Sequence, residues 1–216
     1  KVLTNKIAYL IRKGVSPENI LALTFTDKAA SEMFDRVNEL ITSYGDLTIT
    51  TFHSFCKDII HENILELKLN VAPKILDDTA QLVWFVKNID AFNMEHIKIG
   101  FQPVTLADEL RKTISRLQDE YITYEKLEKY VSKSEAKSRG EEEREKLNTL
   151  KDLLKAYKAY EIYKEKNNMI DFGDMLTKTY GLLKSKPLIL KKYQKQFKYI
   201  LVDEYRDTNF IQLQIV

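Results

Sequence analysis

The sequence predicts an α/β fold in which a parallel sheet is interrupted by a long helical block. Three observations carry this reading. Residues 1–55 alternate helix-type and strand-type patterns, as chains that wind around a parallel sheet do. From about Cys56 to Lys192, apolar residues recur at helical spacing and no strand-type run stands out. A strand-type run then returns at Tyr199-Ile200-Leu201-Val202 and leads straight into Asp203-Glu204. The predicted division is residues 1–56 with 193–216 as one discontinuous α/β unit, and 57–192 as an all-helical insertion.

Taken in order, Leu3, Ile7, Leu10 and Ile11 share one helix face, and Gly14 with Ser16-Pro17 stops that helix. Residues 20–26 form a nearly continuous apolar run, the pattern of a strand covered on both faces. A helix is expected over about 28–40, with Ala29, Met33, Val37 and Leu40 inward. Tyr44-Gly45-Asp46 then turns the chain into a second strand over 47–52. Within the helical block, Asp77 and Asp78 are placed to cap a helix reaching Ile89. Thr105 and Asp108 have capping-box spacing at the start of a stripe of Leu106, Leu110, Ile114, Leu117 and Tyr121. Leu147, Leu150, Leu154 and Tyr157 mark a further helix. Residues 132–145 contain only Ala136 as an apolar side chain, which predicts an exposed tip.

Composition narrows the functional classes. Hydrophobic residues at 44% and charged residues at 31% describe a globular protein, and no apolar run approaches the roughly 20 residues of a membrane span. Cys56 is the only cysteine, which excludes a disulfide framework and a cysteine-based zinc cluster and fits a reducing cytoplasm. Three scattered histidines give no metal-ligand spacing. The net charge of +2 is unevenly spread: residues 1–125 carry 14 basic and 18 acidic side chains, and residues 126–198 carry 19 and 11. Six lysines and no acid fall within 184–198. Such a zone can attract a polyanion, although a run of this kind is more often a solvated helix face.

The sharpest chemical signal is Ile200-Leu201-Val202-Asp203-Glu204. Adjacent carboxylates at the carboxyl end of a strand point into the crevice where α/β sheets hold ligands, and they suit an Mg²⁺–nucleotide site. Three further segments sharpen this. Leu23-Thr24-Phe25-Thr26-Asp27-Lys28-Ala29-Ala30-Ser31-Glu32-Met33 resembles LTFTNKAAxEM, motif Ia of superfamily 1 DNA helicases of the UvrD/Rep/PcrA type. Thr50-Thr51-Phe52-His53-Ser54-Phe55-Cys56 resembles their TFHSF motif Ib, and Val202 to Asn209 resembles VDEYQDTN at seven of eight positions. Ile170-Asp171-Phe172-Gly173-Asp174-Met175-Leu176 is similar to their IDFxDLL segment.

The resemblance implies a partial RecA-like sheet of the P-loop NTPase type. It also implies an ATP-dependent helicase or translocase moving 3′ to 5′ on single-stranded DNA. ATP and Mg²⁺ are the expected cofactors, with Asp203 as the metal ligand and Glu204 as the water-activating acid. Single-stranded DNA, duplex junctions and the remaining motor domains of the same polypeptide are the expected partners. DNA contacts are expected at Thr24, Phe25, Thr26, Thr51, His53 and Ser54, with Phe25 stacking on a base. Independently, a Phe at a strand end is more often a buried closing residue, and a lone His after a strand is more often structural.

Lys1 cannot itself be the phosphate-loop lysine, since Val2 offers no hydroxyl for Mg²⁺. The resemblance makes it the residue after that loop, so this stretch alone is expected not to turn over ATP. Two positions depart from the family pattern. Asp27 stands where the family usually has Asn, and Arg206 where it usually has Gln, with a nucleotide-coupling role. A guanidinium at 206 pairs with phosphate or with Asp207. Two rival readings share the motifs: an AddA/RecB-type recombination helicase–nuclease, and a degenerate motor serving only as a DNA-binding or interaction module.

Overall fold

A computed structural model describes residues 2–41, 45–69, 71–97, 102–135 and 140–216. Two compact units emerge: Lys1–Asn70 with Lys178–Val216, and Val71–Thr177. Helical periodicity begins earlier, near 57, because periodicity reports that a segment is helical and not which core it joins.

In the first unit, helix α1 (Val2–Arg12) precedes strand β1 (Ile20–Thr24), helix α2 (Asp27–Leu40), strand β2 (Thr48–Thr51) and helix α3 (Phe52–Glu62). The later part of the chain adds helix α9 (Pro187–Gln196), strand β5 (Tyr199–Val202) and helix α10 (Phe210–Ile215). The sheet is parallel with order β2-β1-β5. β1 pairs Leu21 with Thr48 and Thr24 with Thr51 on one side, and Ile20 with Tyr199 and Leu23 with Val202 on the other. The central strand is buried at all five positions, as its unbroken apolar run predicts. β5 is less covered than its apolar sequence suggests, since Tyr199 and Ile200 remain about 40% exposed at the sheet's edge. Ile7, Ala8, Leu10, Ile20, Ala22, Met33 and Val37 form the core between helices and sheet.

Two strand ends are shorter than the apolar runs imply. Thr26 leaves β1 and caps α2, its Oγ1 accepting from the Ala29 amide at 3.1 Å. Thr51 ends β2 and caps α3 by accepting from the Ser54 amide at 3.2 Å, so Phe52 is the first residue of a helix. Threonine stops each strand because its hydroxyl satisfies an amide that the helix start leaves orphaned. Of the expected turn before β2, Tyr44 lies outside the described residues; Gly45 takes φ +47, where a side chain is strained.

The second unit contains helix α4 (Asp78–Asn88), helix α5 (Pro103–Asp119), helix α6 (Tyr124–Glu135), helix α7 (Glu141–Lys166) and the start of helix α8 (Phe172–Ser185), whose residues from Lys178 on belong to the first unit. The expectation of an all-helical block is corrected here. Strands β3 (Lys74–Ile75) and β4 (Met169–Ile170) pair in parallel. Two residues are too few to show a period of two, so the sequence concealed them. Asp77 caps α4 through the Ala80 amide at 2.8 Å, as expected. The capping box proposed at Thr105 and Asp108 does not form. Pro103 opens α5 instead, and Asp108 pairs with Arg111 and Lys112. Of the expected tip, residues 136–139 lie outside the described residues; its flanks at 132–135 and 140–145 are mostly exposed, and 132–135 and 141–145 are helical.

The core of this unit is strongly aromatic, with Trp84 packed against Phe85, Phe92, Tyr160 and Tyr163. Asp152, fully buried, accepts the backbone amides of Glu95, His96 and Ile97 at 3.0, 2.5 and 2.8 Å. Burial opposes its charge, but these three amides and Lys155 together hold the carboxyl below its ordinary value. Asp152→Ala should therefore cost about 2–3 kcal/mol, the scale of charged hydrogen bonds lost from a buried site, measured by urea denaturation. Because its folded value is depressed, Asp152's contribution is present above the ordinary aspartate range and lost as pH falls through the folded value.

Candidate functional site

The parallel register places the carboxyl ends of β1, β2 and β5 side by side. Asp203 directly follows β5, and its amide still donates to the Leu23 carbonyl at 2.9 Å, one residue before Thr24. Thr24 in turn is opposite Thr51. One sheet edge therefore gathers Thr24, Phe25, Thr26, Thr51, His53, Ser54 and Asp203. The helices α2 and α3 both begin there, which places the positive ends of two helix dipoles at this edge.

These residues are not equally available. Thr24 is fully buried, and its Oγ1 donates within range of the Thr26 carbonyl at 3.1 Å and the Thr50 carbonyl at 3.5 Å. Thr51 is 5% exposed; its hydroxyl caps α3 and donates to Ser54 Oγ at 3.1 Å. Both hydroxyls are bonded within the fold and shape the edge from within. Phe25, by contrast, is 38% exposed, and the fully buried ring of Phe52 lies 6.0 Å from it, tilted by 52°. A partly exposed ring braced by a buried one has the geometry that stacking on a flat group requires. Thr26 is exposed beside it.

His53 sits half-buried in the first turn of α3. Desolvation lowers its imidazole below the ordinary value, with the Asp27 carboxylate opposing. Near neutral pH it is an uncharged ring whose N–H can donate but whose charge is not available. Asp27 lies in the first turn of α2, where the helix dipole favours a carboxylate, and this gives a structural reason for an acid there.

Asp203 lines a cleft of about 280 Å³ with the first turn of α1 and with Glu32 and Arg36 of α2. Glu204 follows in the left-handed region at φ 49, unusual for a residue with a side chain and common where a site fixes the backbone. A short 3-10 turn over Tyr205–Asp207 comes next. Arg206 pairs with Glu204 at 3.4 Å and with Asp207 at 3.7 Å, all three well exposed. The expected pairing of Arg206 with Asp207 is therefore present, and the contact with Glu204 was not foreseen. Exposed pairs of this kind are weak and yield readily to a competing anion. Among the described residues no group of three or more His, Cys, Asp or Glu is arranged for a metal ion. Asp203 and Glu204 nevertheless offer the hard oxygen donors that Mg²⁺ takes alongside water and phosphate.

The family model for the UvrD/REP helicase N-terminal domain matches residues 1–216. The chain belongs to the UvrD/REP helicase family. Among its relatives, the probable DNA helicase II homolog of Mycoplasma genitalium is 36% identical over 219 residues, covering 100% of this chain and 29% of the relative. DNA helicase II of Rickettsia typhi is 36% identical over 98% of this chain and 30% of its own length. The ATP-dependent DNA helicase PcrA of Bacillus subtilis is 35% identical over all of this chain and 27% of its own. This UvrD/REP-type chain thus spans less than a third of the length of the curated relatives it matches. Among the described residues no helix is long and apolar enough to cross a membrane.

The sequence motifs missed the functional geometry in one respect. Cleft residues Glu32, inside the motif Ia segment, and Arg36 were not singled out, although they stand four and eight residues after Lys28 on a helix already recognised. Of the lysine-rich stretch, Lys186 pairs with Glu66 and Lys192 with Glu62, so part of that charge is compensated within the fold.

Proposed function

We propose that this chain is the nucleotide-facing and DNA-facing part of an ATP-dependent DNA helicase that translocates 3′ to 5′ on single-stranded DNA. The observation that supports the reading best is the shared carboxyl edge. It joins Asp203, in its cleft, to the exposed Phe25 ring through two adjacent parallel strands, β5 and β1. A nucleotide at one end of that edge and a DNA base at the other would be linked by rigid backbone. Val71–Thr177 is read as an insertion domain carried by the motor, and the remaining motor domains of the same polypeptide as the partners that close the nucleotide site.

In this reading Asp203 holds Mg²⁺, which when bound would neutralise phosphate charge. Glu204 accepts a proton from the attacking water. Phe25 stacks on a base, while Thr26, Ser54 and the neutral N–H of His53 meet the sugar–phosphate backbone without reading sequence. Arg206 leaves its carboxylate partners for phosphate. The deciding experiment uses the intact protein that contains this chain. Strand displacement should require ATP and a 3′ single-stranded tail; equal activity on a 5′-tailed duplex would overturn the polarity, and no ATP requirement would overturn the motor. On the 216-residue chain itself, Phe25→Ala should weaken single-strand binding by about 1–3 kcal/mol in fluorescence anisotropy, and binding should fall with salt. Unchanged affinity would remove Phe25 from the interface.

A further inference from the structure

Lys164, near the end of α7, is 2% exposed and is surrounded by three carboxylates. Its ammonium donates to Asp171 Oδ2 at 2.9 Å and Asp174 Oδ2 at 2.6 Å, and Glu161 Oε1 lies 2.7 Å away. Asp171 and Asp174 also cap α8 reciprocally. The Asp174 amide donates to Asp171 Oδ1 at 2.7 Å, and the Asp171 amide to Asp174 Oδ2 at 3.1 Å. Gln118 Nε2 from α5 reaches both carboxylates, at 3.1 and 3.3 Å. A side chain at Gly173 would run into Gln118, so the approach of α5 to this cap requires a glycine. The Tyr160 ring lies 4.5 Å from the ammonium.

The facing titratable groups are therefore Tyr157, Tyr160, Glu161 and Lys164 on α7, and Asp171 and Asp174 at the start of α8; α5 contributes the neutral Gln118. Fully ionised, the three carboxylates and one ammonium leave surplus negative charge in the interior, which is costly. Asp171 and Asp174 are each held by the ammonium, a backbone amide and Gln118. Glu161 has less of this support: its buried Oε1 lies 2.7 Å from the ammonium but makes no aligned hydrogen bond. Burial and then the neighbouring Asp174 push its carboxyl up to about 7, with Lys164 opposing.

We propose that this cluster is a proton-operated clasp on the first turn of α8. With Glu161 protonated, Lys164 belongs to Asp171 and Asp174 and the cap is tight. With Glu161 ionised, a third carboxylate competes for the same ammonium and the cap loosens. Glu161's folded value lies above its ordinary 4.5, so its contribution is complete below that pH and is lost as pH rises through about 7. Asp171 is shifted downward and does not change across this window.

The test is thermal melting of the 216-residue chain from pH 5 to pH 8, followed by circular dichroism and by emission of Trp84, the only tryptophan, whose ring lies 5.1 Å from that of Tyr160. The melting temperature of the wild type should fall by several degrees across the window, relative to Glu161→Gln, and Trp84 emission should titrate with a midpoint near 7. Glu161→Gln, which mimics the protonated carboxyl, should flatten both. Parallel profiles in the two proteins would overturn the clasp. Should the variant fail to fold, the ¹³C carboxyl shift of Glu161 in the wild type decides: a midpoint near 7 supports the proposal, and one near 4.5 overturns it.

Discussion

Lys164→Met should destabilise the chain by about 3–5 kcal/mol, the largest effect on folding expected of any single substitution considered. The reason is an asymmetry. A buried ion pair adds little over a well-packed apolar substitute, because desolvation offsets the Coulomb attraction. Removing one partner alone leaves the others buried without compensation. Here the stranded groups are Asp171, Asp174 and Glu161, and Asp171 and Asp174 are almost inaccessible. Urea denaturation followed by Trp84 emission reads the cost in the unit that contains the cluster. Adding Asp171→Asn and Asp174→Asn to Lys164→Met should recover part of the loss, since amides keep the capping acceptors and drop the charge. A loss below about 1 kcal/mol for Lys164→Met would mean that the carboxylates take up protons at little expense, and the ion-pair account would fail.

That cluster also marks where sequence reading stops. The IDFxDLL-like segment was visible as a motif, and its two aspartates three residues apart carry a helix start. Nothing in the sequence placed Lys164 or Gln118 against them, because those contacts join residues 7 to 56 positions apart through packing of separate helices. The α/β rhythm was legible for the opposite reason. Each strand and helix of residues 1–55 announces itself locally, by a short strand-type run, by apolar residues at helical spacing or by a turn signal, whereas the threonines that cap α2 and α3 were not foreseen. Sheet order was not local information, and neither was the exposure of individual hydroxyls. Thr24 and Thr26 flank Phe25 symmetrically in the sequence, yet the first is fully buried and the second caps an exposed helix start. A two-residue strand such as β3 leaves no periodic trace at all. The motifs named residues that gather at the edge; the fold decided how far each of them is exposed.

Glu204→Gln in the intact protein should lower the rate of DNA-stimulated ATP hydrolysis by about 10²–10⁴-fold, the range for loss of a positioned general base. Gln keeps the size and one acceptor oxygen of the side chain, so nucleotide affinity should change little, and the effect should fall on kcat. The resemblance suggests this part for Glu204, and the local geometry is compatible with it. Glu204 directly follows Asp203, the acid that lines the cleft, and its φ of 49 turns the chain sharply out of β5. Its carboxylate is also exposed and only loosely paired with Arg206 at 3.4 Å, a contact that a triphosphate could displace. Asp203→Asn should behave differently. Weakening a metal ligand should raise the Mg²⁺ concentration needed for half-maximal rate, and excess Mg²⁺ should restore part of the activity. Glu204→Gln should not be rescued in this way. The two substitutions thus separate metal binding from proton transfer at neighbouring positions. If both were rescued equally by Mg²⁺, Glu204 would be a second ligand and another group would have to take the water's proton. If neither affected hydrolysis, the nucleotide would lie elsewhere than the carboxyl edge of β5.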